Sequence, residues 1–366
     1  VKMIKFKKIL KIIFKNFFYW IFKKIYGKIN TYNNQINSFK IFEINSKNIL
    51  NFYNKKYKIY LIPKGRIYTD NVEHVGIIDK NYLCGEVSYQ QIKGELKDPS
   101  FNVCIKKGTP RIKKYFKGRT LNLAQGASGH TNYAHWLFDM LPKIKLYEEK
   151  FSLKELSNIY VNKLIQFQKL TFELLNLENI KIIDSSRFRH IQSDEIIATQ
   201  HPNYYHGYIM EEHQKLPEWI IHWLRESFIQ KSKKINTVDK IFIDRSNSKF
   251  KHCQIINYED TIEFLTRSGF KIIKLEELTF VEQISLFNHS KIILGAHGAG
   301  FANLSFCEPN TKVIEIRPAN HPNKIYERIS SINKLDYKLY STDIEKSSNF
   351  VGDINVNIDK LKSLIK

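Results

Sequence analysis

The sequence predicts an α/β protein whose second half contains a parallel, doubly wound sheet. After residue 239, short apolar runs alternate with helical patterns, and parallel strands need such crossover helices. Between residues 40 and 120, short apolar runs are separated by turn residues, which predicts a strand-rich region with hairpins. At 366 residues the chain exceeds the size at which one core usually stops growing, so we expect two domains.

Residues 1–30 have the pattern of a basic amphipathic helix. Apolar residues share one helical face and lysines share the other. The apolar face contains Phe6, Ile9, Leu10, Ile13, Phe17, Trp20 and Ile21, and the basic face contains Lys5, Lys8, Lys11, Lys15 and Lys23. Lysines interrupt the segment too often for a bilayer span of about 20 apolar residues. We expect the helix to lie in an anionic membrane interface; the alternative is docking on the protein's own core.

Residues 31–215 are expected to form an N-terminal α/β domain. The runs "YKIYLIP", "HVGIID", "SFNVCIKKG" and "TLNLAQG" predict strands. A helical pattern interrupted by Pro142 follows in "NYAHWLFDMLPKIKLYEEK". The strand "SNIYVN", the helix "LIQFQKLTFELLNL" and the strands "IKIID" and "SDEIIAT" complete an alternating series. Residues 216–238 predict a linking helix that begins at Pro217.

Residues 239–345 have the most regular pattern and are expected to form the second domain. The strands are "KIFID", "FKIIKL", "KIILG" and "KVIEI". The helices are "NYEDTIEFLTRSG", "TFVEQISLFNHS", which opens at Thr279, and the short "GFANLSFCEP". A tail helix is expected in residues 346–366.

The charge does not by itself identify a partner. The chain has 58 Lys and Arg against 36 Asp and Glu, a net charge of +22. The lysines are scattered among isoleucine and asparagine along the whole chain, which indicates a compositional bias, so we expect no nucleic-acid partner. Four distant cysteines, without a C-x-x-C pair, predict neither a zinc site nor disulfides and fit a reducing cytosolic compartment.

The segment "KIILGAHGAGFANLSF" predicts an anion-binding loop. In a doubly wound sheet, ligands bind beyond the carboxyl ends of the strands. The glycines let backbone N–H groups approach a diphosphate, a helix that starts near Phe301 directs its positive end there, and His297 could donate to a phosphate oxygen. The alternative is that the glycines pack helix against strand and His297 caps the turn. The G-x-G-x-x-G fingerprint of a nucleotide-dependent oxidoreductase is absent.

Two charged residues stand at the ends of predicted strands. Glu315 could accept two hydroxyl hydrogen bonds from a ribose; alternatively it is a solvated charge at a strand end. Arg245 could bind phosphate as a bidentate donor; alternatively it forms a salt bridge with Asp244 or Asp260.

A polar face is predicted in the first half of the chain. Asn132, His135 and Asp139 stand at i, i+3 and i+7, so on a helix their side chains lie on one face. A histidine and a carboxylate one turn apart are the usual parts of a general base and its orienter. The alternative is a capping asparagine and a buried, satisfied histidine. No metal site is expected, because H-E-x-x-H and Asp-x-Asp are both absent.

Four segments, in this order and spacing, resemble glycosyltransferase family 61: "NYAHWLFDMLPKI", "IDRS", "LEELTFVEQISLFNHSKIILGAHGAGFANLSF" and "VIEI". The resemblance covers about residues 120 to 320. It implies a GT-B fold, with two Rossmann-like domains facing across a cleft, and inverting transfer from a nucleotide sugar, expected to be UDP-linked. It further implies a role in bacterial capsule, lipopolysaccharide or other surface-polysaccharide synthesis.

The resemblance also implies site residues. It marks Asn132, His135 and Asp139 as catalytic residues on the acceptor side. On the donor side it marks Arg245, Gln283, Gly295, His297, Gly298, Ala299, Gly300, Asn303 and Glu315. Lys249, Lys251 and His252 stand where family members usually have a second basic pair; a lysine neutralises phosphate as a point charge only.

The expected protein is thus a metal-independent, cofactor-free glycosyltransferase. Arg245 with Lys249 or Lys251 balances the leaving diphosphate, and Asp139 or His135 takes the acceptor proton. The expected partners are a nucleotide sugar, a glycan or lipid-linked glycan acceptor and an anionic membrane surface, on the inner face of the cytoplasmic membrane. The alternative is a non-catalytic, membrane-attached basic protein that binds nucleic acid or acidic glycan, which leaves the glycine loop unexplained.

Overall fold

The computed structural model describes residues 2–31, 38–69, 74–125, 131–205, 207–232, 238–248, 252–319, 321–342 and 352–365, with only the backbone for 2–11. The chain forms two compact units. Unit 1 comprises Val1–Ile165 and Glu178–Ile209, and unit 2 comprises Gln166–Leu177 and Met210–Lys366. Helices and large sheets confirm the predicted α/β class.

The described residues contain eleven α-helices. They are α1 (Lys2–Tyr26), α2 (Val103–Lys107), α3 (Tyr133–His135), α4 (Pro142–Glu148), α5 (Gln166–Leu174), α6 (Ile209–Glu212), α7 (Glu218–Phe228), α8 (Tyr258–Arg267), α9 (Phe280–His289), α10 (Ile325–Ile332) and α11 (Ile358–Ile365). None of the helices in these ranges has the length and hydropathy of a membrane-spanning segment.

Unit 1 is built on a sheet of thirteen strands among the described residues. They are β1 (Asn30–Thr31), β2 (Lys40–Glu43), β3 (Lys58–Pro63), β4 (Arg66–Tyr68), β5 (His74–Asp79), β6 (Tyr82–Leu83), β7 (Tyr89–Ile92), β8 (Glu95–Leu96), β9 (Lys114–Asn122), β10 (Asn158–Val161), β11 (Lys181–Asp184), β12 (His190–Thr199) and β13 (Gly207–Tyr208). The main path runs β11-β10-β9-β12-β4-β5-β7-β8-β13.

This sheet has a parallel part and an antiparallel part. Strands β11, β10, β9 and β12 are parallel neighbours, but β12 then pairs antiparallel with β3 and β4. Two-residue turns join β5 to β6, at Lys80–Asn81, and β7 to β8, at Lys93–Gly94. Such connections are too short for a parallel crossover, so this part of the sheet is antiparallel.

Helix α1 is held to unit 1 at its C-terminal end. The Tyr26 hydroxyl accepts a hydrogen bond from the Lys113 backbone N–H at 3.0 Å, and Lys23 Nζ donates to the Lys106 carbonyl at 3.0 Å. Further along α1 the apolar side chains face outward: Ile13, Phe14, Phe17 and Trp20 are 55–65% exposed. The helix therefore combines an anchored end with an exposed apolar middle.

Unit 2 contains a five-stranded parallel sheet. Its strands are β14 (Lys240–Ile243), β15 (Lys271–Ile273), β16 (Ile292–Ala296), β17 (Lys312–Pro318) and β18 (Asp336–Thr342), in the order β15-β14-β16-β17-β18. From β14 the chain passes first to β15, on one side of β14, and then to β16, on the other side. The strand order therefore reverses between β14 and β16. Ligands of doubly wound sheets bind at this switch point, outside the carboxyl ends of the strands.

The helices of unit 2 follow from local sequence. Thr279 caps α9: its hydroxyl accepts from the Glu282 backbone N–H, and the Glu282 carboxylate accepts from the Thr279 backbone N–H, a capping box. Helix α11 is part of the core rather than a loose tail, since Leu361 packs with Ile354, Val356 and the strand residue Phe242.

Candidate active site

His135 and Asp139 lie on either side of a change in helix type. Helix α3 continues into a π-helical turn, Trp136–Met140, before α4 begins at Pro142. The Leu141 N–H donates to the Trp136 carbonyl, five residues back, at 2.9 Å. Pro142 has no N–H to give an α-helical bond at this point, which favours the wider turn.

Asp139 is fully buried and receives several hydrogen bonds within unit 1. His135 Nδ1 lies 2.5 Å from Oδ2, and Asn203 Nδ2 donates to Oδ1 at 2.8 Å. Gln125 Nε2 donates to Oδ2 at 3.3 Å. Because an ionised carboxylate only accepts, His135 carries its proton on Nδ1, and Nε2 is the nitrogen that would take a proton from a substrate.

Tyr204 joins this His135–Asp139 pair. Its hydroxyl lies 2.9 Å from His135 Nδ1. Burial, the charge of Asp139 and a hydrogen bond with that carboxylate raise the pKa of Tyr204 well above its ordinary value. The phenol therefore stays protonated and supports the carboxylate.

Asn132 does not join the pair. Its side-chain oxygen accepts from the His135 backbone N–H at 3.1 Å and caps α3. The expectation that all three polar groups converge is therefore wrong for Asn132, because the cap occupies its amide oxygen. The structure brings together two of the three predicted residues.

A buried lysine lies close to Asp139. Lys143, on α4, is almost fully buried, and its Nζ donates to the Leu123 carbonyl at 3.2 Å. Burial lowers the pKa of Lys143 to about 7, while the negative charge of Asp139 opposes this shift.

In unit 2, Arg245 contacts the glycine loop, residues 295–300, at the switch point of the sheet. Arg245 follows β14, and its Nη1 donates to the His297 carbonyl at the end of β16. A Cβ on Gly298 would collide with the Arg245 guanidinium, so only glycine allows this approach. The alternative salt bridge between Arg245 and Asp244 does not form. The Asp244 carboxylate instead accepts hydrogen bonds from the Ser246 backbone N–H and from the Tyr258 hydroxyl.

A 3₁₀ helix, Ala299–Phe306, begins at the last two residues of the loop. It starts two residues before the position expected from the sequence. Tyr326 holds the loop in place by donating from its hydroxyl to the Gly298 carbonyl at 2.7 Å. The first N–H groups of a helix have no acceptor within it, so this end of the helix is suited to an anion.

Glu315 holds His297. Its fully buried carboxylate accepts from His297 Nδ1 on one oxygen and from the Tyr337 hydroxyl on the other. Burial and the charge of Glu315 raise the pKa of Tyr337. Both oxygens of Glu315 are thus bonded inside unit 2, where they orient His297. The ribose contact expected from the sequence stays a prediction.

Comparison with known protein families now gives the activity. The family model described as Glycosyltransferase 61 matches residues 133–314. The chain belongs to glycosyltransferase family 61. It is therefore an enzyme that takes a sugar from a donor to a glycan acceptor. The match begins just after Asn132 and ends just before Glu315, so it contains His135, Asp139 and the whole glycine loop. No curated protein matches the chain significantly.

Three further predicted residues of this glycosyltransferase support the loop from inside unit 2. Gln283 Nε2 donates to the Leu275 carbonyl at 2.9 Å, and its Oε1 accepts from Asn303 Nδ2 at 2.9 Å. Asn303 is fully buried. A Cβ on Gly295 would press on Ile243 and Phe301, so this glycine has the packing role of the alternative interpretation. Lys249 and Lys251 lie outside the described residues.

Two side chains that the sequence did not single out, Arg317 and His321, also lie near the transferase loop. The His321 and His297 rings have centroids 4.1 Å apart. Burial and the positive charges of His297, Arg317 and His252 lower the pKa of His321 to about 3. Arg317 lies near the carboxyl end of β17 and His321 follows this strand, so the rule that selected Arg245, the carboxyl ends of parallel strands, also covers them.

Proposed function

We propose that the protein transfers a sugar, with inversion at the anomeric carbon, from a nucleoside diphosphate sugar to a hydroxyl of a surface glycan. One observation carries the proposal: Arg245 and the glycine loop meet at the switch point of the parallel sheet in a family 61 chain. The GT-B arrangement and a UDP-linked donor, both implied by the family resemblance, belong to this proposal.

The diphosphate would bind at the loop 295–300, against the amino end of the following 3₁₀ helix. Arg245, whose guanidinium already contacts the loop, would balance the charge that develops as the diphosphate leaves. His297, held by Glu315, would donate to a phosphate oxygen. These groups supply positive charge without a metal ion, which is why we propose a metal-independent reaction.

His135 would act as the general base and Asp139 as its orienter. The exposed fractions support this division, since the His135 side chain is 15% exposed and that of Asp139 only 1%. The acceptor oxygen forms a bond to the anomeric carbon, the bond from this carbon to the diphosphate oxygen breaks, and the acceptor proton moves to His135 Nε2. The nucleoside diphosphate leaves with the electron pair of the broken bond.

A nucleotide panel tests the sugar-donor site. Melting temperatures would be measured with UDP, GDP, CMP, NAD and a short oligonucleotide, with EDTA present throughout. We expect one nucleoside diphosphate to stabilise the protein, by about 2.7 kcal/mol at a hundred times its dissociation constant. Stabilisation by the oligonucleotide alone would favour the non-catalytic alternative. Proton NMR of the transfer product then reports whether the anomeric configuration is inverted.

We also propose that α1 attaches the enzyme to an anionic membrane surface, where lipid-linked glycan acceptors and capsule or lipopolysaccharide precursors would be found. The exposed apolar residues of α1 support this, as do Lys15, Lys23 and Lys24 on the same helix. Phe17 and Trp20 stack with ring centroids 6.4 Å apart, so they form one apolar surface.

Vesicle co-sedimentation tests the attachment. Vesicles of phosphatidylcholine alone would be compared with an equimolar mixture of phosphatidylcholine and phosphatidylglycerol. Changing Phe17 and Trp20 together to serine should weaken binding by about 3 kcal/mol, more than a hundredfold. The control is Phe52→Ser, an exposed aromatic of unit 1 outside α1. Equal vesicle binding by the Phe17 and Trp20 double variant and by the unmodified protein would contradict the proposal.

A further inference from the structure

Unit 1 contains a cleft of about 460 Å³ that the steps above do not use. Its walls include four tyrosines, Tyr57, Tyr89, Tyr204 and Tyr205, and the carboxylates of Glu86 and Asp98. The volume lies within the range of about 300–1,000 Å³ that is usual for small-ligand sites.

The aromatic walls are fixed by hydrogen bonds to backbone. The hydroxyls of Tyr57 and Tyr205 both donate to the Pro202 carbonyl, at 2.6 and 3.3 Å. The Tyr204 ring stacks on His201, with centroids 4.1 Å apart and an interplanar angle of 13°. Side chains held in this way lose little further entropy when a ligand binds.

The charge of the cleft differs from that of the chain. Glu86 and Asp98 carry negative charge and Lys97 carries the positive charge among its lining residues. Gln200 Nε2 donates to Glu86 at 2.8 Å, and Lys58 Nζ forms an ion pair with the same carboxylate at 3.2 Å. In a chain with a net charge of +22, the cleft therefore has no positive excess that would select an anion.

Tyr204 connects the cleft with the proposed base. It lines the cleft, and its hydroxyl lies 2.9 Å from His135 Nδ1. A ligand in the cleft is therefore one tyrosine side chain away from the His135–Asp139 pair. Tyr89, on another wall, lies with its ring 5.6 Å from Lys143 Nζ.

We propose that this cleft binds a neutral saccharide, the part of the acceptor next to the hydroxyl that receives the new sugar. The assignment rests on the proposed transferase function. The Tyr205 ring, which is half-buried whereas the other three tyrosines are buried, packs against the apolar C–H face of a pyranose, and the carboxylates of Glu86 and Asp98 accept hydrogen bonds from its hydroxyls. A uronic acid or a phosphorylated sugar would be repelled by Asp98, while Glu86 is already paired with Lys58.

Saturation-transfer NMR of the full chain tests the cleft with methyl β-glucoside and methyl β-glucuronide as probes. We expect the glucoside to bind and the glucuronide to bind at least about tenfold more weakly. Tyr205→Ala should weaken glucoside binding about tenfold, whereas Tyr205→Phe, which keeps the ring, should retain it. The matched control is Tyr115→Ala, an exposed tyrosine of unit 1 that does not line the cleft. Circular dichroism would verify that each variant is folded.

A charge reversal gives an independent readout. Glu86→Lys should reduce the preference for the glucoside over the glucuronide without changing nucleotide stabilisation in unit 2. Unchanged glucoside binding in Tyr205→Ala, or equal binding of the two probes by the unmodified protein, would overturn the cleft assignment. If the enzyme transfers sugar but Tyr205→Ala leaves the acceptor KM unchanged, the cleft assignment fails and the transferase stands. The expected binding pattern in a protein that transfers no sugar would keep the cleft and overturn the proposed function.

Discussion

Units 1 and 2 each contain a buried carboxylate that holds a histidine and a tyrosine. In unit 1, Asp139 holds His135 with Tyr204 beside it. In unit 2, Glu315 receives hydrogen bonds from His297 and Tyr337. The surroundings of the two pairs differ. Asp139 also receives hydrogen bonds from the amides of Gln125 and Asn203, whereas the His297 carbonyl receives a hydrogen bond from the guanidinium of Arg245 at the switch point of a parallel sheet.

The proposed roles of the two histidines differ in the same way. With Nδ1 bonded to Asp139, His135 would take the acceptor proton on Nε2. Arg245 and the first N–H groups of the 3₁₀ helix give the surroundings of His297 the positive charge that suits a diphosphate. One arrangement of carboxylate and histidine would therefore serve proton transfer in one unit and anion binding in the other.

The largest expected effect separates the two histidines. His135→Ala should lower kcat by about 10²- to 10⁴-fold, because the general base is lost, while nucleotide stabilisation is retained. His297→Ala should mainly raise the KM of the sugar donor. Steady-state kinetics with both substrates varied measure this split, and His222→Ala, on the exposed side of α7, is the control. If His135→Ala keeps near-full turnover, the assignment of the base is wrong.

The second effect concerns the arginine of the switch point. Arg245→Ala should weaken nucleoside diphosphate binding by about 10- to 100-fold, as expected for the loss of charged hydrogen bonds. Gly298→Ala should produce part of the same loss, because its methyl group displaces the Arg245 guanidinium. Calorimetric titration with the nucleotide measures both values. Unchanged nucleoside diphosphate affinity in both variants would contradict the assignment of Arg245 to the sugar-donor site.

Lys143 is expected to have the smallest effect on turnover, and its substitution should change the stability of the fold instead. Its pKa in the folded state is about 7, below its usual value of 10.5. Between these values the unfolded chain binds more protons, so the free energy of unfolding should rise with pH from about 7 upward. Lys143→Met should remove this rise in the free energy of unfolding. The control Lys145→Met should keep the rise, because Lys145 lies on the same helix but is half-buried and paired with Glu149. Urea unfolding at several pH values measures the slope.

The two units also differ in how far the sequence predicts them. In unit 2 the elements are local: Thr279 caps α9, and "KIILG" forms β16 as expected. Arg245 and His297 could be chosen because both follow strands of a parallel sheet. In unit 1 the sheet depends on distant pairing, such as Ile62 with Ile196, which no local pattern specifies. Tyr204 and Asn203 were missed for the same reason, since their contacts with His135 and Asp139 span more than sixty residues.

The π-helical turn at Trp136–Met140 has a consequence for the history and redesign of the enzyme. A π turn is an α-helix with one extra residue, so it could be removed by a single deletion. Such a deletion would rotate α3 against α4 by about 100°. The chain would gain a regular helix, but α3 with His135 would turn relative to α4 and its buried Lys143. A consensus or design procedure that rewards ideal helices would therefore change the direction of His135 within unit 1.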